Sequence, residues 1–265
     1  MDAMKELSPL KQFWITLFMM ISRVTYFNSD KIITLYRGNQ NLQIKHGADI
    51  KKCSVIPNGI DIQRFKYKRI SASAGPEYMV GFVGRIVPIK DVKSLLHAAR
   101  FVVDRLAGAK FYLKGPFDED KPYYEECKVL VSLLNLDQNV FFTGPSDVTE
   151  FYRELDVLVL SSVSEAQPLS LLEANLCAVP VVSTDVGAVR ELLYGIDDED
   201  AKLGPSGIVV PVKSPQALGE EIVKLLSNRD LNNKMGAAGV KRVLSYYKKE
   251  DLMTKYHDIY KGYIK

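Results

Sequence analysis

The chain has 265 residues, 47% hydrophobic and 25% charged, a balance that excludes collagen-like, coiled-coil and disordered chains. Thirty-five Lys and Arg against thirty-two Asp and Glu leave a net charge of +3, too small an excess for a broad nucleic-acid-binding face. Three cysteines with no Cys-x-x-Cys argue against a disulfide framework or a structural zinc site and fit a reducing, cytoplasmic setting.

Residues 12–22 are uncharged and lie between Lys11 and Arg23. Eleven residues fall short of the roughly 20 that a spanning helix needs, and no small-x-small cleavage site follows. The stretch therefore reads as part of a buried helix over about 10–27. A strand at 31–36, a short helix at 40–46 and a strand at 54–57 are expected next. Two strands and two helices make a poor independent core. Segment 1–70 is accordingly expected to be the remnant of an α/β domain whose beginning precedes Met1. In that setting Phe13, Trp14, Leu17, Phe18, Met19 and Ile21 would form an apolar patch for self-association or a partner.

The turn-prone run Ser71-Ala72-Ser73-Ala74-Gly75-Pro76 marks an expected boundary. After it, short runs apolar on both faces occur at 78–83, 110–113, 140–142, 157–160, 179–183 and 208–210, the pattern of buried parallel strands. Amphipathic stretches at 91–106, 125–136, 169–177, 188–194 and 215–226 read as helices, with Asp91 as an N-cap. This alternation predicts a doubly wound α/β domain over 71–245, with a parallel sheet that binds ligand at the carboxyl ends of its strands. The acidic run Asp197-Asp198-Glu199-Asp200 reads as a solvated loop, and His46, His97 and His257 as surface or packing positions. Residues 233–265 read as helix, of which 246–265 is expected to pack back toward the N-terminal segment.

Three motifs carry chemistry. In Gly81-Phe82-Val83-Gly84-Arg85-Ile86-Val87-Pro88-Ile89-Lys90 a strand runs into a loop, and Gly84 is expected to allow a sharp turn. Arg85 and Lys90 then lie on one loop at the sheet edge, where two cations suit a diphosphate; two solvated cations would look the same. Neither Gly-x-Gly-x-x-Gly nor a Gly-Lys-Ser/Thr loop is present, which weighs against dinucleotide and P-loop readings. In Ser164-Glu165-Ala166-Gln167-Pro168-Leu169-Ser170-Leu171-Leu172-Glu173, Pro168 suits a first helical turn. The N–H groups of Gln167 to Ser170 would make an anion site there. Glu165 and Glu173 could grip vicinal hydroxyls of a sugar or ribose, or could be an ordinary helix-terminus pair. The third, Phe142-Thr143-Gly144, ends a strand in backbone groups able to read a base edge, or simply in a turn. No Asp-x-Asp ends an apolar strand, so no metal site is expected.

Gly-Arg-x-x-x-x-Lys, Phe-Thr-Gly and Glu-x-x-x-x-x-x-x-Glu occur in this order, with Val55-Ile56-Pro57-Asn58-Gly59-Ile60-Asp61 before them and Ser183-Thr184-Asp185-Val186-Gly187 after. Together they resemble the retaining nucleotide-sugar glycosyltransferases of family 4, which have the two-domain GT-B fold. Ser-Glu-Ala-Gln-Pro-Leu, Leu35-Tyr36-Arg37-Gly38-Asn39 and Lys114-Gly115-Pro116 narrow the resemblance to the cytosolic glycosyltransferases of the Pel exopolysaccharide system.

The resemblance implies a hexosyltransferase that takes a UDP-sugar, UDP-glucose among the candidates, without a metal or cofactor. It assigns Arg85 and Lys90 to the donor diphosphate and Glu165 to the donor sugar, the three forming the catalytic group. Glu173 falls to the ribose, Gly84 to the shape of the diphosphate loop, and Gln167, Pro168, Leu169 and Ser170 to the turn over the distal phosphate. Thr143 and Gly144 fall to the base. Expected partners are a growing polysaccharide, membrane synthase subunits at the inner face of the cytoplasmic membrane, or a second copy through 10–27, with no nucleic acid. Most of the family's acceptor half is expected to be missing from this sequence. Two readings follow: a glycosyltransferase donor domain that is incomplete without that half, and a non-catalytic nucleotide-sugar-binding module, or a remnant, that acts through a protein partner.

Overall fold

A computed structural model describes residues 8–65 and 77–263. The chain divides into two units, Met1–Pro57 and Asn58–Lys265. The boundary signal at 71–76 lies outside the described residues.

In the first unit, α1 (Pro9–Asn28) precedes a parallel strand pair, β1 (Ile32–Thr34) and β2 (Cys53–Val55), with α2 (Arg37–Lys45) between the strands. The expectation of a buried helix at 10–27 is corrected. The helix forms, but none of its residues is buried, and Phe13, Trp14, Phe18, Met20, Ile21 and Phe27 are 49–82% exposed. The cause is the size of the core beneath it. That core is Ile32, Ala48 and Cys53 with Tyr26 and Ile44 packed on them, and of α1 only Tyr26 reaches it.

In the second unit, the strands are β3 (Tyr78–Val83), β4 (Ala109–Lys114), β5 (Val140–Gly144), β6 (Val157–Leu160), β7 (Val181–Thr184) and β8 (Gly207–Val210). They form one parallel sheet in the order β5-β4-β3-β6-β7-β8. The chain thus winds outward from β3 to β5, returns to the centre at β6 and winds out the other way. All four residues of β6 are at most 1% exposed, as an apolar run covered on both faces requires. Each such fully buried side chain contributes about 1.5–3 kcal/mol. Asp156 closes the amino end of the β3–β6 seam: its Oδ2 accepts from the Met79 N–H at 2.8 Å, and its own N–H donates to the Met79 carbonyl at 2.8 Å.

Helices α3 (Val92–Val103), α4 (Lys121–Leu133), α5 (Thr149–Glu154), α6 (Leu169–Leu176), α7 (Val189–Tyr194), α8 (Asp198–Ala201), α9 (Pro215–Ser227), α10 (Arg229–Tyr246) and α11 (Lys249–Lys261) complete the unit. Asp91 caps α3 as expected, accepting from the Ser94 N–H at 3.4 Å and its hydroxyl at 2.7 Å. Leu95, Leu96, Ala98, Ala99 and Val102 are buried on α3, which packs against α9.

Two readings change here. The helix expected over 233–265 is two helices, broken at Tyr247 and Lys248. The break receives the segment after Asn58: the Ile60 N–H donates to the Tyr247 carbonyl at 2.9 Å, and the Lys249 N–H to the Ile60 carbonyl at 3.0 Å. The acidic run is not wholly solvated. Asp197 caps α8, and Asp200 is 0% exposed, where it accepts from Arg242 Nε at 2.7 Å. Arg242 is equally buried and also donates to the carbonyls of Leu193 and Gly204 at 2.9 Å. A buried carboxylate needs a cation, and Arg242 lies far along the sequence, so composition alone assigns Asp200 to solvent.

Candidate functional site

The carboxyl ends of β3 and β6 lie side by side where the strand order reverses, the position at which doubly wound sheets open a ligand crevice. Beyond β3 the Gly84 N–H donates to the Lys114 carbonyl at 3.0 Å, and the Gly115 N–H to the Gly144 carbonyl at 3.1 Å. Gly84 was expected to supply the sharp turn, but it has no positive φ; that demand falls on Gly115. At Gly115 φ is +149°, and a Cβ would lie 2.1 Å from the Gly84 carbonyl oxygen. Gly144, with φ +69°, ends β5 in the left-handed region where glycine is favoured.

The loop continues through a single turn of tight helix, Pro88–Lys90, into Asp91, which has φ 46°. This left-handed residue, tolerated by an aspartate that caps its own helix, sets Lys90 at the mouth of the seam. There Lys90 Nζ forms a short ion pair with Glu165 Oε1, their side chains 17% and 13% exposed. Ser162 Oγ donates to the same Glu165 oxygen at 2.7 Å. Backbone contacts join the two loops: Ser161 Oγ donates to the Lys90 carbonyl at 2.8 Å and the Val163 N–H to the Ile89 carbonyl at 2.9 Å.

Glu165 is also supported from β7. Thr184 Oγ1 donates to the Ser162 carbonyl at 2.6 Å, and the Ala188 N–H to the Ala166 carbonyl at 2.9 Å. Gly187, at φ +53°, lets the backbones touch: a Cβ there would fall 2.3 Å from the Glu165 carbonyl oxygen.

Helix α6 starts after Pro168, with no side-chain cap on its amino end. Its first N–H groups, those of Leu169 and Ser170, have no partner within the helix, which is the arrangement that attracts an anion. The buried Gln167 spends its side chain on Asn58. Its Oε1 accepts from the Asn58 N–H at 2.6 Å, and its Nε2 donates to the Asn58 carbonyl at 3.1 Å. Further along α6, Glu173 Oε2 accepts from the Tyr152 hydroxyl at 2.7 Å. Burial pushes the Glu173 carboxyl above its usual range, partly offset by that hydrogen bond and by the Arg64 charge. Burial and Glu173 together raise the Tyr152 phenol well above its own usual value.

Of the residues singled out in the sequence, Lys90 and Glu165 are in direct contact. Arg85 is not with them: its Nη1 donates to both Glu119 oxygens, at 2.5 and 2.8 Å, and the pair is about half exposed. Thr143 is exposed, and its Oγ1 donates to the Leu113 carbonyl at 3.4 Å. Sequence reasoning missed Ser162, Tyr152 and Gly115 as parts of the site. Gly115 and Gly187 stood in quoted motifs without a role, because their role is to leave space. The geometry offers a cation on the loop after β3, a carboxylate against that cation four residues before an uncapped helix start, and a second carboxylate along the helix. This is a set able to hold a diphosphate and sugar hydroxyls.

Residues 63–242 match the family described as glycosyl transferases group 1, and residues 1–51 match a domain of unknown function (DUF3492). The chain is 28% identical over 220 residues to the D-inositol 3-phosphate glycosyltransferase of Kineococcus radiotolerans, a match covering 76% of this chain and 50% of that protein. Two solved structures superpose with TM-scores of 0.78. One is sucrose-phosphate synthase from Thermosynechococcus elongatus, at 21% identity over 92% of this chain and 61% of that one. The other is Anabaena Alr3699/HepE in complex with UDP and glucose, at 18% identity over 92% of this chain and 67% of that one. The chain thus spans about half the length of the curated relatives it matches.

Proposed function

The chain belongs to the group 1 glycosyl transferases, and from that premise we propose that it transfers a hexosyl group from a UDP-sugar, UDP-glucose the first candidate, with retention of configuration, in exopolysaccharide assembly. The observation that carries this reading is the Lys90–Glu165 pair, with Glu165 four residues before the uncapped start of α6. Cleavage of the anomeric carbon–oxygen bond builds negative charge on the departing diphosphate. In this reading Lys90 exchanges Glu165 for the diphosphate and, with the N–H groups of Leu169 and Ser170, stabilises that charge as it develops. Arg85 joins them by leaving Glu119. That exchange is cheap, since an exposed ion pair is worth about 0–1 kcal/mol. Glu165 then holds the donor sugar, Glu173 the ribose, and Thr143 and Gly144 the base. These side chains and amides supply the compensating charge, and no step in this scheme calls for a metal.

The acceptor in this proposal is a growing polysaccharide, met in the cytoplasm at the inner face of the membrane, where α1 offers its apolar side chains to synthase subunits or to a second copy. No described helix is long and apolar enough to cross a membrane. A second reading is a nucleotide-sugar-binding module without turnover. UDP release from UDP-glucose, measured with and without added polysaccharide, separates the two. Acceptor-stimulated release supports transfer; binding of UDP without release under any acceptor supports the module.

A further inference from the structure

Tyr152 is 0% exposed, and its hydroxyl donates to Glu173 Oε2 at 2.7 Å. A phenol buried this deeply must find a partner, and a core position that needed only bulk would be filled by phenylalanine. Phe65, 3% exposed, meets the Tyr152 ring edge-on with centroids 5.9 Å apart. The neighbouring Phe151 ring is tilted by 47° to that of Tyr152, with centroids 6.4 Å apart. A ring packed in this way presents its hydroxyl at one point, whereas a glutamate has three torsions to settle.

We propose that Tyr152 is a positioning residue for nucleotide recognition: by holding Oε2 of Glu173 it turns Oε1 toward the vicinal hydroxyls of the donor ribose. This rests on the assignment of Glu173 to the ribose made above. The hydroxyl fixes the carboxylate's orientation, and it touches no ligand itself. The effect of removing it should therefore appear only with ligands that carry those hydroxyls.

The test is calorimetric titration of the full chain with UDP and with 2′,3′-dideoxy-UDP, for the wild type, Tyr152→Phe, Glu173→Gln and the double variant. We expect Tyr152→Phe to weaken UDP about tenfold, the scale of one lost hydrogen bond to a charged group. Its affinity for the dideoxy ligand should equal that of the wild type, which also shows that the variant is folded. The double variant should bind UDP no more weakly than Glu173→Gln, as two residues acting through one contact require. Equal losses for both ligands in Tyr152→Phe would overturn the inference and leave Tyr152 a packing residue. Wild-type UDP affinity in Tyr152→Phe, with a loss in Glu173→Gln, would overturn it while the ribose assignment stands. Wild-type UDP affinity in Glu173→Gln would remove that assignment, and the inference with it.

Discussion

Lys90 and Glu165, 75 residues apart in sequence, neutralise each other across the seam where the sheet changes winding direction. Each is mostly shielded from water, so neither is comfortable charged without the other. Under the proposed function, a diphosphate that takes Lys90 would free Glu165 for the sugar, which would link the two roles. Glu165→Gln should keep UDP affinity within a few-fold of the wild type, because Lys90 loses a competitor. Turnover of UDP-sugar should fall by about 100-fold or more, the scale for removing a pre-placed electrostatic group. Steady-state kinetics beside UDP titration reads both numbers.

Glu173 yields a pH dependence. Its carboxyl lies above 4.5 in the folded chain, chiefly through burial. A raised carboxyl contributes stability below 4.5, where it is protonated in both states, and loses that contribution as pH rises through the folded value. Under the proposed ribose assignment, binding would run the other way, since the ionised form would accept the ribose hydroxyls. Uridine, which has no titrating phosphate, should bind more tightly as pH rises through this range. Glu173→Gln should flatten the profile.

Gly187 is a spacer. An alanine there would sit at φ +53° with its Cβ 2.3 Å from the Glu165 carbonyl oxygen. Backbone cannot yield as a flexible side chain does, so the loop carrying Glu165 must move. Gly187→Ala should cost about 1–3 kcal/mol in urea unfolding and also lower UDP-sugar turnover.

The Asp200–Arg242 pair, 0% exposed on both sides, anchors the loop after α7 to α10. Asp200→Ala leaves a buried guanidinium without its counter-charge and should cost about 3–5 kcal/mol. Substituting both residues with apolar ones of similar volume should cost less than the single change. Chemical denaturation of the three variants checks the order.

The exposed side chains of α1 give a prediction about association. Light scattering should show mass rising with concentration, and Phe13→Ser with Phe18→Ser should suppress that rise. A clean monomer at high concentration would show that α1 does not join copies.

Much of the fold was legible because its strands are apolar on both faces; β3 and β6 have the bounds that the pattern gives. Helix α5 was not legible. It has six residues, too few to show a period, and its buried Phe151 and Tyr152 alternate with nothing. For α1 the pattern reported apolarity correctly but could not report whether anything covers it. In the site, Lys90 and Glu165 stood in their motifs, and a turn signal marked the start of α6. Partners could not be read. Tyr152 meets Glu173 across 21 residues, and Gln167 meets Asn58 across 109. Nor does sequence spacing reveal that Arg85 faces Glu119.

The most direct measurement is calorimetric titration of UDP into the wild type, Lys90→Ala and Glu173→Ala. We expect one site in the wild type and a loss of about 1–3 kcal/mol in each variant, the scale of a lost charged hydrogen bond. Unchanged affinity in both variants, or no binding by the wild type, would contradict a donor site built on Lys90, Glu165 and α6.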